Sequence, residues 1–509
     1  MNPRLTKEFR ALLLPWCVAA VTGIVLHSIR LSIALGFIGE GDFLSFVQVV
    51  IGFAFFGALL AVTAMPWSSE LQQGTLPLLF SQPIARSGIW RDKFIAALLA
   101  VASALLLEGL FHYFTRSLGS SLSGVVLPRE FEQMVCAWLI PTLCSVTYWT
   151  LLARSTVGGM AFTVSAQFFV LGLLICAVER IGVSETAQIA IMIAAGVIYS
   201  TFFLWLSWRK FSRLEIRQVS PDSLGSAKSL AGLGLRVSWL RCRPTSGLLN
   251  LIRKEIHLQK SLFMLAAVLG AVWFFMGAWL VFMPSEKTFP AGVLVLSIVL
   301  YVPLMALLGG TVSLGEEKNL GLTAWHLTFP ISVRRQWAVK LAVALATWFA
   351  LGVILPYVLT RIGAAMSGRG ALAPHTFDDM EFETWFGIAL FAGGVFALSF
   401  WAMTLFSNTV RAVIASLALI SALCCSAALG CWLVVQVEGR GAFGMNSSRW
   451  NSYVWLVLTT AAALLALVQS LIPFRRLQTS PRLIAKYSCC LVAFVFLETF
   501  CYFLFRPLL

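Results

Sequence analysis

Residues 68–93 read SSELQQGTLPLLFSQPIARSGIWRDK, and residues 315–340 read GEEKNLGLTAWHLTFPISVRRQWAVK. A single shift of 247 residues lays one on the other and holds without a gap from Lys7 on Lys254 to Leu98 on Leu345. Between Glu70 and Leu98, eight of 29 positions are identical: Glu70 with Glu317, Gly74 with Gly321, Pro83 with Pro330, Ile84 with Ile331, Trp90 with Trp337, Lys93 with Lys340, Ala97 with Ala344 and Leu98 with Leu345. Average residue frequencies would give roughly two by chance. Most of these identities fall in a polar connection, where hydropathy does not force them, so the chain reads as an internal duplication.

On both sides of each stretch the sequence turns apolar. The 509 residues are 59% hydrophobic and 12% charged, with a mean hydropathy of +0.87, which excludes an ordinary water-soluble domain. Crossing about 30 Å of hydrocarbon takes about 20 helical residues. Charge-poor runs of that length recur near 11–29, 43–66, 94–114, 133–153, 157–178 and 187–207, then near 261–283, 291–314, 341–360, 384–406, 412–434 and 452–473, with a last one near 487–505. The runs are continuous instead of alternating, so they predict helices and not barrel strands. The expected fold is an all-α polytopic bundle: a six-span domain over 1–207, a linker over 208–252, a second six-span domain over 253–476, and a tail over 477–509 with a thirteenth span.

The formal charge of +15 invites a nucleic-acid reading, but basic residues beside apolar runs record membrane orientation. Placing the N-terminus in the cytosol puts 27 of the 37 Lys and Arg inside, and without the eight in the linker the balance is still 19 to 10. The N-terminus is therefore expected inside and the C-terminus outside, in a bacterial inner membrane. The basic residues before the first run have no small-residue cleavage site after them, which predicts an uncleaved first span. The linker is rich in Ser, Gly and Arg, with Glu215 and Asp222 its only acids, and suits a flexible segment against the membrane better than a catalytic domain. Ten of the eleven cysteines lie in apolar runs, without metal-ligand spacing.

Both halves also open alike. Lys7-Glu8-Phe9 precedes the first span and Lys254-Glu255-Ile256 its counterpart, each in a mixed apolar and charged run that predicts an amphipathic helix on the cytosolic surface. In the first connection, Ser69 with Gln72 three residues on reads as a helix start with a capping box, and Glu70 would favour its positive end. Gly74 permits close backbone approach, Pro77 limits the helix, and Pro83 ends it. A short helix and a sharp turn follow in each copy, then basic residues that enter the next span.

In this order of residues the chain resembles the membrane-spanning subunits of type-2 ATP-binding-cassette (ABC) exporters. Between spans two and three these carry an acidic residue, then Gly, often Gly-Thr, an apolar run, Pro with an apolar and a basic residue, and Lys entering span three. Glu70, Gly74-Thr75, the run 76–80, Pro83, Arg86 and Lys93 fit that order. In the second copy Glu317, Gly321, Pro330, Arg334 and Lys340 fit it more loosely, since Leu322 follows the glycine and the basic residue arrives late. The resemblance implies that the two connections couple to a separate cytosolic ABC ATPase, in two copies, which holds the ATP and Mg. This chain itself shows no GxxxxGK[ST] phosphate loop. No cofactor, metal, catalytic group or nucleic-acid partner is expected of it, and membrane lipid is its other partner.

Two acids interrupt apolar runs and are candidate intramembrane polar groups: Glu108, with His112 one turn on, and Glu498 in the last span. Leu355 stands opposite Glu108 in the repeat. A secondary, ion-coupled transporter is the rival reading, although its expected buried ionisable groups at mid-membrane are scarce. A lipid-modifying enzyme would need clustered His, Asp or Glu at one face, which is not visible. A non-transporting scaffold or sensor completes the alternatives.

Overall fold

The computed structural model describes residues 3–34, 42–72, 75–81, 83–118, 129–153, 156–181, 185–214, 247–282, 288–319, 331–366, 382–406, 408–438, 448–474 and 480–505. These form helices joined by turns, with no strand among them. The first half of the chain gives α1 (Pro3–Ala34), α2 (Asp42–Gln72), the short α3 (Leu76–Phe80), α4 (Arg86–Leu118), α5 (Arg129–Ala153), α6 (Thr156–Ile181) and α7 (Glu185–Ser212). The second gives α8 (Gly247–Leu258), α9 (Lys260–Phe282), α10 (Thr288–Asn319), α11 (Val333–Trp348), a π-helical turn (Phe349–Ile354), α12 (Leu355–Met366), α13 (Phe382–Leu405), α14 (Thr409–Glu438) and α15 (Ser448–Phe474), before the terminal α16 (Pro481–Phe505).

Every stretch read from the sequence as a span falls on these helices, to within a residue at its ends. Among the described residues six helices are long and apolar enough to cross a membrane, or seven if the bent pair α8–α9 is one span, so the chain is an integral membrane protein. Most of the expected linker lies outside the described residues, between the ends of α7 and α8.

Two expectations are corrected. Ser69 and Gln72 do not start a helix: they sit in the last turn of α2, because the apolar run before them continues through Pro66 without a break. Glu70 is therefore near a helix C-terminus, where the dipole does not favour it, and something else must hold it. The surface helix expected at both N-termini exists as a separate element only in the second half, where α8 meets α9 at 49°. In the first half Lys7 and Glu8 belong to the first turns of the unbroken α1.

The halves grip each other reciprocally. α6 packs on α9 and α10 of the second half, while α14 packs on α1 and α2 of the first. Leu417 of α14 lies where a Cβ on Gly57 of α2 would touch it, at 3.3 Å. Val410 and Ile414 of α14 belong to the same buried cluster as Leu59 and Val62 of α2 and Ala96 of α4. The final helix α16 starts with Ser480, whose hydroxyl accepts the Leu483 N–H at 3.3 Å, followed by Pro481 at the first helical position, and lies against α14 and α15.

α10 packs closely on α13, where Gly310 is required. A Cβ there would stand 2.6 Å from both the Phe396 carbonyl and the Phe400 nitrogen, backbone atoms that cannot swing aside. Gly310→Ala is expected to cost at least about 1–3 kcal/mol through overpacking, read as a lowered thermal midpoint of the detergent-purified protein, with Gly52→Ala, which meets nothing within 4 Å, as the neutral control.

Candidate functional site: two buried ion-pair joints

Lys93, in the second turn of α4, is a lysine with only 2% of its side chain exposed. An ammonium buried so deeply is costly unless it is paired and hydrogen-bonded. Its Nζ donates to Glu8 Oε1 of α1 at 2.8 Å and to the Pro66 carbonyl of α2 at 2.8 Å, and Glu70 Oε2 lies 3.2 Å away. The other Glu70 oxygen accepts from Lys7 at 3.3 Å. Two lysines and two glutamates from α1, α2 and α4 thus form a neutral cluster.

The residues 247 positions later repeat it. Lys340 of α11, 1% exposed, lies between Glu255 of α8 and Glu317 of α10, and Lys254 pairs with Glu317. Where Pro66 offers its carbonyl in the first cluster, Ser313 stands in the second, and its hydroxyl donates to Glu255 Oε2 at 3.0 Å. The sequence singled out these eight residues as members of two separate features, surface helices and connecting loops. The structure brings them into two joints. The available signal was that all four charges in each half fall at the ends of apolar runs and all four keep their identity across the repeat.

The two joints differ in depth. Lys7 is 68% exposed whereas its counterpart Lys254 is 27% exposed, and Glu255 is fully buried. The second half adds Lys318, which has Leu71 as its counterpart. Its Nζ donates to the carbonyls of Met403, Thr404 and Phe406, at 2.7, 3.1 and 2.7 Å, and so closes the C-terminal end of α13. Burial pushes the Lys318 pKa down to about 8. As an ammonium the group has three N–H donors, one for each of the three carbonyls.

The connection after α2 is fixed by other means. Glu70 contributes its carbonyl, which accepts the Thr75 N–H at 3.1 Å and closes the helix end. Leu79 and Phe80 of α3 then join an aromatic cluster built on Trp67, Ile89 and Phe211, with the Phe80 and Phe211 rings 5.5 Å apart. Exposed Arg86, at the start of α4, covers the Phe80 ring at 4.8 Å and donates to the Ser212 carbonyl at the end of α7. The connecting segment is thereby tied to α4 and α7, and Pro83 lies exposed at its tip. Gly74, Gly321 and Pro330 lie outside the described residues; Arg334 is exposed in the first turn of α11. Trp337 donates to Ser470 Oγ of α15 at 3.1 Å, which ties α11 to the last helix of its half.

Far from these joints, Glu108 of α4 meets His27 of α1, with 2.8 Å between Oε1 and Nε2. The sequence marks Glu108 and His112, one turn apart, but nothing local marks His27, 81 positions away from Glu108, as a partner. Glu498 lies half-buried on α16, with Oε2 buried and lacking a hydrogen bond. Among the described residues, no three His, Cys, Asp or Glu converge in a way that could hold a metal ion. No protein-family model, curated protein or solved structure matches the chain.

Removing one partner from a buried ion pair leaves the other charge uncompensated, at about 3–5 kcal/mol. Lys93→Met and Lys340→Met are each expected to lower the thermal midpoint strongly. Lys7→Ala should change stability by no more than about 1 kcal/mol, because an exposed partner is screened by solvent. Removing Glu8 with Lys93, as Glu8→Gln/Lys93→Met, should recover part of the single-variant loss. Equal effects of Lys7 and Lys93 substitutions in thermal unfolding would count against the joint as described.

Proposed function

We propose that the chain is the permease of an ATP-driven exporter that moves a lipophilic or amphipathic compound outward, powered by a separate cytosolic ABC ATPase in two copies. On this reading the two halves are parallel repeats of six spans, and the thirteenth span lies outside the repeat. The observation that carries the reading is the pair of buried joints. Each fastens the entry of the first helix of its half, the exit of the second and the start of the third into one neutral cluster. Both connecting segments leave directly from such a joint.

A motor protein pressing on a segment can move spans only if force is not lost in local bending. In the first half, the α3 segment is locked to α4 and α7 by Phe80, Phe211 and Arg86, and Lys93 binds α4 to α1 and α2. Displacement of that segment would therefore carry four spans as a body. The reciprocal packing of α6 and α14 on the opposite halves supports the same reading, since a seam between two repeats is where a pathway would open and close. ATP hydrolysis belongs to the partner, and the chain contributes positioning and passage without chemistry of its own.

An ion-coupled transporter with two six-span halves is the second reading, and the intramembrane His27–Glu108 pair is the observation that favours it. The two separate in one experiment: transport by the protein in native membrane vesicles should follow ATP and persist when ion gradients are collapsed.

Replacing Glu70 and Glu317 together by Ala should leave the protein inserted while reducing co-purification of an ATPase from native membranes, and transport with it, at least ten-fold. Arg86→Ala, which loosens the segment without opening the joint, should reduce transport more than it reduces insertion. Wild-type protein that purifies without any ATPase, and whose transport follows an ion gradient, would falsify the exporter reading.

A further inference from the structure

α1 and α4 run side by side in the same direction, through Glu8 with Lys93, Trp16 with Ser103 and His27 with Glu108 in rising order. At 1.5 Å per residue, Glu108 stands about 22 Å beyond Lys93 and His27 about 28 Å beyond Glu8. The His27–Glu108 pair is therefore near the far side of an apolar layer about 30 Å thick.

The geometry of the carboxyl is unbalanced. Oε1 is held by His27, whose side chain is only 2% exposed. Oε2 is buried, has no hydrogen-bond partner, and lies over Gly23, so close that a Cβ there would be 2.5 Å away. Leaving a buried acceptor unsatisfied costs about 1–3 kcal/mol, and more for a charged group. The side chain as a whole keeps 22% of its surface open. Around it are the His27 ring, Phe111 stacked on that ring at 6.3 Å, His112 edge-on to it at 6.0 Å, and Phe55 close to the Gly23 position.

The other half of the chain serves as an internal control. Gly23 has its counterpart in Gly270, where a Cβ would meet nothing within 4 Å; His27 corresponds to Phe274, and Glu108 to Leu355. The π-helical turn ahead of α12 moves the register there by one residue, to Pro356, which is also apolar. At these three counterpart positions the second half therefore carries only a glycine and apolar side chains, with no acid–histidine pair.

We infer that Glu108 is the recognition point for an ammonium group arriving from the bilayer, so that the compound handled by the first half is a lipophilic or amphipathic primary amine. An ammonium reaching the open part of the Glu108 side chain supplies what the site lacks: N–H donors for the carboxyl once Oε2 turns off Gly23, and a positive charge beside a carboxylate in an apolar layer. Aromatic faces next to the carboxylate attract the same group. The amine can be a free amphiphile or the headgroup of an amino-phospholipid, and both present the same donors. This rests on the transport reading only for the role of the bound amine as cargo.

Binding of dodecylamine to the full-length protein, measured by intrinsic tryptophan fluorescence in phosphatidylcholine nanodiscs, tests the site, because the choline headgroup has no N–H donor. Dodecylamine should bind at least ten-fold tighter than dodecanol, and Glu108→Gln should abolish that difference. Glu108→Leu, which copies the other half, secures the test if the Gln variant misfolds. Gly23→Ala, which displaces Oε2, should weaken amine binding several-fold and leave dodecanol unaffected. Competition by added phosphatidylethanolamine would assign the amine to a headgroup, and its absence to a free amphiphile. Equal binding of amine and alcohol, or wild-type amine binding by the folded Glu108 variants, overturns the proposal. Neither result alters the outcome expected for Glu70 and Glu317, so the site and the exporter reading fail separately.

Discussion

A lysine ammonium shared between glutamates of two different helices is the constraint on which this molecule is organised. Lys93 and Lys340 are each almost wholly withdrawn from solvent at the start of a helix, and each is neutralised by carboxylates from the two helices beside it. An unpaired ammonium in that position would be intolerable, so the three helix ends cannot drift apart independently. In a bilayer this matters more than in water. Apolar surfaces gain little by leaving lipid for one another, and the choice among alternative helix arrangements falls to polar contacts and to close packing of small residues.

Both devices occur here, in complementary places. The ion-pair joints fix one end of the bundle. Along the length of the helices the job passes to small residues, such as Gly310 against the α13 backbone and Gly57 against Leu417 across the seam between halves. At its base the second half has Ser313 in its joint, in place of the Pro66 carbonyl, and Lys318 closing α13. The first half instead carries its polar investment at the opposite end, in His27 and Glu108.

Much of the architecture was legible because bilayer physics is severe. A charge-poor run of about 20 residues has one stable form, and every such run is found on a helix. The shift of 247 residues likewise paired Lys7 with Lys254 and Lys93 with Lys340 from the letters alone. What misled was local pattern. Ser69 and Gln72 have the spacing of a capping box, yet a helix arriving from upstream simply ran through them. Lys7-Glu8-Phe9 has the composition of a surface helix, yet these residues run on into α1 without a break.

The sequence by itself determined the class of the molecule and the positions of its helices, because hydrophobic length is a property of the chain read along one dimension. Only the tertiary structure decided which charges meet. Glu8 and Lys93 are 85 residues apart, and His27 and Glu108 are 81 apart. A buried ion pair is formed by whichever groups the packing of helices brings within about 3 Å. That distance depends on the facing of α1 against α4, which is set by all their neighbours together and by no local run of residues.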